Sequence, residues 1–507
     1  MIYVYEKIKP GLAAEPAPLR RRGEDRERTS DMQPFLHRYL GDKPFWRVTM
    51  RLALPIALQN LLISSFTLVD TVMIGGLGDV ALSAVGMAGQ WSWMLTLVLF
   101  GFCSGTAVFI SQYWGVKDIK GIKNVYGLML VNTMAASAVF FIVGFLFPKG
   151  VISIFNEDAA VISEGAAYLK TACFSFFALA LSNAFSTLLR ATENVRLPMY
   201  ASGVSAVLNA VLNYGLIYGA FGLPEMGVRG AALATCISSW VNPLVILVVS
   251  AAKKNLVCSR LKEMFSLPKG LVPHYYKVCA PVLANESLWG LGTFCYNIVF
   301  ARIGYEYYAA VTIFRTIDGI AFTFFIGLCN ACCVMVGKSI GAGKIERATG
   351  DARRFAFIVP VLSLLVGSLI AVLRAPLISL FDTTGRLSEV TRDTAKIILM
   401  IYGFEYCFRN IPYILIVGIF RSGGDTVTGL KLDLFCVWCI ALPAVVVSAF
   451  VLKLPFPAVF AAMLVFEDAI KVVLALRRFL SRGWIRPVTE AGLAAAEAEK
   501  AQTEARR

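Results

Sequence analysis

Charged residues are scarce in this sequence. They make up 16% of its 507 residues, whereas soluble proteins carry about 25%. Asp and Glu together number 33, fewer than the 35 Phe, and hydrophobic residues account for 57%. Mean hydropathy is +0.68. This little charge cannot cover the surface of a soluble chain of this length, so the composition excludes a set of soluble domains and predicts a polytopic membrane protein.

Histidine is scarcer still, and cysteine is not arranged for metal binding. The chain has 2 His, and its 12 Cys lie almost entirely within apolar stretches. Cys436 and Cys439 have the C-x-x-C spacing of some zinc and redox sites, but such a site needs further ligands that this sequence does not supply. We therefore expect the cysteines to fill helix contacts, and we expect no cofactor beyond a coupling ion.

Apolar stretches long enough to cross a ~30 Å hydrocarbon core as helices recur through the chain. Because the breaks between them carry Gly, Pro and charge, the fold class is predicted as all-α, with twelve transmembrane helices. The predicted spans are 51–76, 82–113, 124–147, 163–189, 198–221, 228–252, 273–301, 308–337, 355–375, 394–420, 430–452 and 456–480.

The distribution of the Lys and Arg residues, which give the chain a net charge of +15, predicts its orientation in the membrane. Most Lys and Arg outside the spans lie in the two tails and in alternate loops, and basic loops stay in the cytoplasm. We therefore expect a multi-pass protein of the cell membrane with both termini cytoplasmic. The basic runs are expected to contact lipid headgroups rather than nucleic acid. Residues 1–31 have no apolar core and are interpreted as a dispensable extension or a mis-assigned start.

The two halves of the chain resemble each other. A gapless alignment sets Pro55 on Pro281, Gly101 on Gly327 and Gly115 on Gly341, and farther along the chain Arg190 corresponds to Arg421. Six spans in each half make the repeats parallel, so they are related by a pseudo-two-fold axis along the membrane normal. The predicted domains are an N-terminal tail (1–47), an N-lobe with helices 1–6 (48–252), a cytoplasmic linker (253–272), a C-lobe with helices 7–12 (273–480) and a C-terminal tail (481–507).

Ionisable residues inside the spans are candidate functional residues. Each costs about 2.5–3.5 kcal/mol at a helix centre and so needs a reason to be there. The N-lobe has Asp70, with Gln59 three turns earlier on the same helix face. A stripe on the fifth span adds amides and hydroxyls, and Asn183 adds an amide on the fourth. The stripe is Ser202, Ser205, Asn209 and Asn213.

The C-lobe carries more charge than the N-lobe. Glu286 lies in mid-helix without a base close to it in sequence. Arg315 and Asp318 lie one turn apart on the eighth span, and Glu405 and Arg409 one turn apart on the tenth. Each of these two acids has a base within reach, so either a structural ion pair or a role in transport fits them.

A buried carboxylate suits coupling to an ion gradient. Asp70 is the first candidate and Glu286 the second for a group that binds a proton on one side of the membrane and releases it on the other. Asp70 with neighbouring amide oxygens could hold a sodium ion in the same role. The cavity residues predicted to contact substrate are Gln59, Asn183, Asn209, Asn213, Arg315, Asp318, Glu405 and Arg409.

Several short segments occur in a characteristic order and spacing. They are Leu54-Pro55, Val69-Asp70-Thr71, Ser111-Gln112-Tyr113-Trp114-Gly115, Leu189-Arg190-Ala191-Thr192-Glu193-Asn194, Leu212-Asn213, Ala284-Asn285-Glu286-Ser287, Gly337-Lys338-Ser339-Ile340-Gly341 and Phe420-Arg421-Ser422-Gly423-Gly424-Asp425. In this order the sequence resembles the bacterial branch of the multidrug and toxic compound extrusion (MATE) transporters over residues 44–485.

The resemblance implies two six-helix lobes around a central cleft and cation-coupled export of organic, often cationic, compounds. The family's first-helix acid corresponds to Asp70. Some members have Asp on the fifth helix where this chain has Asn213. Sodium-coupled members place acids on the seventh and tenth helices, where this chain has Trp289 and Asn410. The resemblance therefore favours a proton over a sodium ion.

Three classes of function fit these features unequally. The leading prediction is an antiporter that exports cationic or amphipathic organic compounds by alternating access, as a monomer among membrane lipids. The alternative is a flippase for lipid-linked or polysaccharide precursors, which would have a strongly cationic cavity. A membrane enzyme would need a catalytic constellation at a helix end, and neither His is placed for one.

Overall fold

The computed structural model describes residues 39–155, 157–381 and 388–505, which are almost entirely helical. No β-strand occurs in these ranges, and an isolated bridge joins Gly424 to Ile485. The predicted all-α class is therefore confirmed. The interpretation of residues 1–31 as an extension lies outside the described residues.

Helical segments occupy all twelve positions at which spans are predicted. One of them, α4, consists of two helices at 51° to each other, and two others change to π-helix along their length. The segments are α1 (Lys43–Gly75), α2 (Asp79–Gly115), α3 (Ile119–Leu146), α4 (Ala159–Ala172 with Ser175–Ala191), α5 (Arg196–Tyr218), α6 (Gly227–Ala252), α7 (Leu271–Ile303), α8 (Tyr305–Gly341), α9 (Ile345–Val372), α10 (Glu389–Tyr413 with Ile414–Phe420), α11 (Thr426–Val451), α12 (Phe456–Leu480) and a C-terminal α13 (Glu490–Ala505).

Eight of these helices are long and apolar enough to cross a membrane, or nine when the bent α4 counts as one span, among the residues the structure describes. The protein is therefore a multi-pass membrane protein. The helices α7, α10 and α12 fall outside that group, and each carries polar and ionisable residues in its middle, such as Glu286, Glu405 and Asp468. The count of twelve crossings stays a prediction.

Local chemistry places the helix ends. Asp42 precedes α1, where its Oδ1 accepts a hydrogen bond from the Phe45 amide at 3.1 Å. Asp118 precedes α3 and accepts from the Gly121 amide at 2.9 Å. Such caps satisfy amides that have no partner inside the helix. The fifth helix is followed by Gly219, whose φ of 71° favours glycine and ends the helix.

The two halves of the chain pack together through reciprocal glycines. A Cβ on Gly115 would lie 2.2 Å from the Lys338 carbonyl oxygen, and one on Gly341 would lie 2.0 Å from the Gln112 carbonyl oxygen. The alignment of the two halves exchanges these two contacts, because it sets Gly115 on Gly341 and Gln112 on Lys338. The ends of α2 and α8, here called the closed end, therefore approach so closely that glycine is required in both. The reciprocity agrees with the internal repeat, while the pseudo-two-fold axis itself stays a prediction.

The predicted C-terminal tail packs across the closed end. Its Val488 amide donates to Gln112 Oε1 at 2.8 Å, and Thr489 Oγ1 donates to the Gly341 carbonyl at 2.8 Å. Gln112 Nε2 in turn donates to the Ser422 carbonyl at 2.9 Å. Trp484 is fully buried. The buried Gln112 thus joins α2 of the N-lobe, the end of α10 in the C-lobe and the tail.

Replacement of Gln112 tests how much this junction stabilises the packed lobes. Gln112→Ala removes two hydrogen bonds to buried backbone groups, so we expect a loss of about 1–3 kcal/mol in stability. Thermal unfolding of the purified protein in detergent measures the loss as a lower melting temperature. The exposed Gln90 lies on the same helix, so Gln90→Ala is the matched control. Equal melting of the two variants would contradict the role given to Gln112.

Candidate functional site

Asp70 lies on α1 against two amides of α5. Asn213 Nδ2 donates to Asp70 Oδ1. When the Asn209 amide nitrogen faces Asp70, it lies 2.7 Å from Oδ1 and 3.0 Å from Oδ2, and the Asn209 oxygen accepts from Ser238 at 3.1 Å. No Lys or Arg forms an ion pair with Asp70 in the described part of the chain. The carboxylate is thus held by neutral donors alone.

Most of the polar stripe of α5 lies against α1. Gln59, only 3% exposed, donates through Nε2 to Ser202 Oγ at 2.8 Å. Ser202 and Asn213 are eleven residues apart, as are Gln59 and Asp70, so two parallel contacts join the helices. Ser205 instead donates to the Ser238 carbonyl at 2.6 Å. The contacts between α1 and α5 therefore form two groups three turns apart, Gln59 with Ser202 and Asp70 with Asn209 and Asn213.

Arg190, at the end of α4, connects Gln59 to the interface between the lobes. Its Nη2 donates to Gln59 Oε1 at 2.7 Å, and its buried Nε has no hydrogen-bond partner in the described residues. Arg190 also lines a cavity between the lobes, which Asn183 lines as well. Arg190 was absent from the predicted site. Its match with Arg421 in the internal repeat was the sequence signal that pointed to it.

Glu286 has an ionic partner on another helix. Its Oε1 accepts from Arg421 Nη2 at 2.5 Å, and Arg421 Nη1 donates to Ser104 Oγ at 3.1 Å. Both members of the pair are largely buried, with side chains 12% and 4% exposed. The ion pair gives Glu286 a structural reason to lie in the membrane. A coupling role for Glu286 stays a prediction.

The other charged pairs of the C-lobe form between helices rather than along them. Arg409 Nη1 of α10 donates to Asp318 Oδ1 of α8 at 3.0 Å, and Tyr402 also donates to this oxygen. Arg315, one turn from Asp318, is exposed on α8. Glu405 has no hydrogen-bond partner at either carboxylate oxygen among the described residues. Asp318 and Arg409 thus form an ion pair that joins α8 to α10.

A third charged cluster was missed altogether. Lys471 of α12 lies 2.8 Å from Asp433 Oδ1 and 3.3 Å from Glu467 Oε1. Asp468, 6% exposed, lies beside Glu405. The sequence did contain a signal for this cluster, because three charged residues lie close together in the last predicted span, namely Glu467, Asp468 and Lys471. The described residues contain no group of three or more His, Cys, Asp and Glu side chains placed to hold a metal ion.

Comparison with known families gives a match in two segments. The sequence profile of the MatE family matches residues 55–215 and 281–447. The two segments begin at Pro55 and Pro281, which the alignment of the two halves sets on each other. Each half therefore carries one copy of the family's sequence pattern.

Individual relatives match over most of their length. The probable multidrug resistance protein NorM of Thermotoga maritima is 27% identical over 448 residues, which cover 86% of this chain and 92% of that protein. The probable multidrug resistance protein YoeA of Bacillus subtilis is 25% identical over 446 residues, covering 86% and 95%. A crystal structure of MATE in complex with MaL6 has a TM-score of 0.78 and 19% identity, covering 92% and 99%. At that identity the structural match shows a common fold.

Separating the Glu286–Arg421 pair tests its structural importance. Glu286→Gln leaves a buried guanidinium without its counter-charge, which costs about 3–5 kcal/mol. We expect a clearly lower melting temperature in detergent, and partial recovery when Arg421→Gln is added. Glu225→Gln at an exposed position is the control. A single variant as stable as the control would show that the pair does not hold α7 to α10.

Proposed function

The chain belongs to the MatE family of membrane transporters, and we propose that it is an antiporter that exports small organic compounds in exchange for protons. The observation that carries the proposal is the environment of Asp70, a carboxylate in a membrane helix that neutral amides hold without a basic partner. Such a group can change charge by taking up a proton, whereas a carboxylate in an ion pair is held in its charged form. The names of the relatives, multidrug resistance proteins, support organic compounds as substrates.

Proton binding at Asp70 changes the contact between α1 and α5. The charged carboxylate accepts N–H groups from Asn209 and Asn213. A proton on Asp70 occupies part of this accepting capacity and turns one oxygen into a donor. The amides must then rotate or separate, which loosens α1 from α5. Protonation of Asp70 thus changes local hydrogen bonds and, through them, the packing of α1 against α5.

The first helix can carry this change to the interface between the lobes. A Cβ on Gly327 of α8 would lie 2.6 Å from the Ala53 carbonyl oxygen of α1, so the two helices approach closely at this point. On the same helix, Gln59 accepts from Arg190, which lines the cavity between the lobes. Movement of α1 would therefore alter both the packing of the lobes and the cavity, which are the two parts that alternating access must link.

A single carboxylate favours a proton over a sodium ion. The polar neighbours of Asp70 are the amides of Asn209 and Asn213, and the described residues hold no group of three His, Cys, Asp or Glu side chains placed for a metal ion. One proton moving down 100 mV supplies about 2.3 kcal/mol, enough for a substrate gradient of roughly forty-fold. The basic loops predict that both termini lie on the cytoplasmic side of the cell membrane. The closed end would then face the cytoplasm, and substrate would leave toward the outside of the cell.

A flippase for lipid-linked precursors is the second candidate. The observation in its favour is that Arg190 and Arg421 both line the cavity between the lobes. Against a strongly cationic cavity, Arg421 is neutralised by Glu286 at 2.5 Å. If the protein were such a flippase, added lipid-linked precursors should inhibit its export of small organic compounds.

Removal of the Asp70 charge tests the antiporter. Asp70→Asn should insert and fold but lose export by at least about tenfold, because the neutral amide cannot bind and release a proton. The measurement is uptake of a fluorescent organic compound into everted vesicles, driven by a pH gradient in sodium-free medium. Glu164→Gln, at an exposed position of α4, is the control. Export by Asp70→Asn at the control rate would contradict the mechanism.

A further inference from the structure

Residues 484–489, here called the strap, follow α12 and cross the closed end before α13 begins. Backbone contacts fix the strap to the C-lobe. The Arg486 amide donates to the Gly423 carbonyl at 2.7 Å, and a Cβ on Gly424 would lie 2.1 Å from the Arg486 carbonyl oxygen. Arg486 also forms an ion pair with Asp425 at 3.1 Å. The strap therefore lies so close to the segment after α10 that this segment needs glycine.

The helix after the strap, α13, lies on the same lobe. Thr489 Oγ1 donates to the Gly341 carbonyl of α8 at 2.8 Å and accepts from the Gly492 amide of α13 at 3.2 Å. A Cβ on Gly492 would lie 2.9 Å from the Ile340 carbonyl oxygen of α8. At the other end of the strap, Trp484 is fully buried in the hydrophobic core of the C-lobe. The strap and α13 are thus built onto the C-lobe and should move with it.

Val488 joins the strap to the N-lobe. Its amide donates to Gln112 Oε1 of α2 at 2.8 Å, and its side chain packs against the hydrophobic core of the N-lobe. Gln112 is fully buried, and its Nε2 donates to the Ser422 carbonyl at 2.9 Å. Backbone groups of the C-lobe and of its strap therefore hold both ends of one N-lobe carboxamide. The lobes are also joined here by Lys338 and Glu193, but this ion pair is open to water and so contributes little.

Alternating access requires the closed end to open. Because the strap belongs to the C-lobe, separation of α2 from α8 breaks the bond between Val488 and Gln112, which costs the hydrogen bond of a buried acceptor. We propose that the strap is a latch, which holds the cytoplasmic end closed through Gln112 and is released when the lobes open toward the cytoplasm. This inference rests on the proposed export by alternating access. Weakening the latch shifts the population toward the inward-open state without a change at Asp70.

Two native cysteines can report this opening. Cys103 of α2 and Cys333 of α8 line the cavity between the lobes. The same cavity is lined by Ser111 and Ser422, the first next to Gln112 in sequence and the second hydrogen-bonded to it, so the cavity lies directly behind the latch. A reagent confined to the cytoplasmic side should therefore reach these thiols when the closed end opens.

Alkylation of the full-length protein in everted vesicles tests the latch. A membrane-impermeant maleimide is added outside, and mass spectrometry reads each cysteine separately. Val488→Pro removes the N–H that Gln112 accepts, and should raise the alkylation rate of Cys103 and Cys333 about tenfold, the population change that one lost hydrogen bond to a buried group produces. Cys258, exposed in the predicted cytoplasmic linker, is the reference that reacts equally in all variants.

Glu490→Pro is the matched control. Glu490 is exposed and begins α13, where a helix tolerates proline, so this variant should react at the wild-type rate. Cys173 and Cys436 are fully buried within the N-lobe and the C-lobe, and their alkylation reports unfolding. Where Val488→Pro exposes these two thiols, Val488→Asp takes its place with the same expected result, because it keeps the N–H and opposes packing against the N-lobe.

The latch is overturned if the folded Val488 variant leaves Cys103 and Cys333 at the wild-type rate, or if Glu490→Pro raises the rate as much. Proton-driven export is measured in the same vesicles. Normal export by the wild-type protein together with unchanged alkylation in the Val488 variant would overturn the latch and leave the proposed function standing. Absence of proton-driven export by the wild-type protein would contradict the proposed function instead.

Discussion

A charge inside a membrane must be neutralised, hydrogen-bonded or used, and this constraint shapes the interior of both lobes. In the C-lobe three ion pairs between helices meet the constraint, with Arg421 on Glu286, Arg409 on Asp318 and Lys471 on Asp433, while Glu405 has no hydrogen-bond partner among the described residues. Each pair joins two helices and so helps to fix their positions. The N-lobe meets the constraint differently, since Asp70 and Arg190 are held by amides. Asp70 and Arg190 are thus buried charges of the N-lobe that no ion pair holds in the described part of the chain.

Both of these N-lobe groups contact or belong to α1. Asp70 lies on that helix, and Arg190 reaches it through Gln59. The same helix touches α8 of the other lobe, close to Gly327. A proton on Asp70 and a change in the contacts of Arg190 would thus both affect one helix that also belongs to the interface between the lobes. This shared helix gives the proposed antiport a physical basis, because proton binding at one end of it alters contacts near the cavity at the other.

Helical periodicity predicted this site in part. Gln59 and Asp70, and the α5 stripe from Ser202 to Asn213, were found from spacing alone because a helix repeats about every 3.6 residues. Partners across helices could not be found that way, since they depend on how helices pack. Spacing therefore did not identify Arg421 as the partner of Glu286, nor Arg409 as the partner of Asp318. The all-α class could be predicted from composition. The packing of residues 484–505 across the closed end could not, because it depends on hydrogen bonds to backbone groups that a polar tail sequence does not reveal.

The central claim is that Asp70 exchanges a proton for substrate. Its most direct test is proton release by the purified protein in weakly buffered, sodium-free solution when a transported compound is added. A pH-indicator dye should report protons released by the wild-type protein at a pH where Asp70 is partly protonated, and none by Asp70→Asn although that variant still binds the compound. Equal proton release by the two proteins would contradict the account.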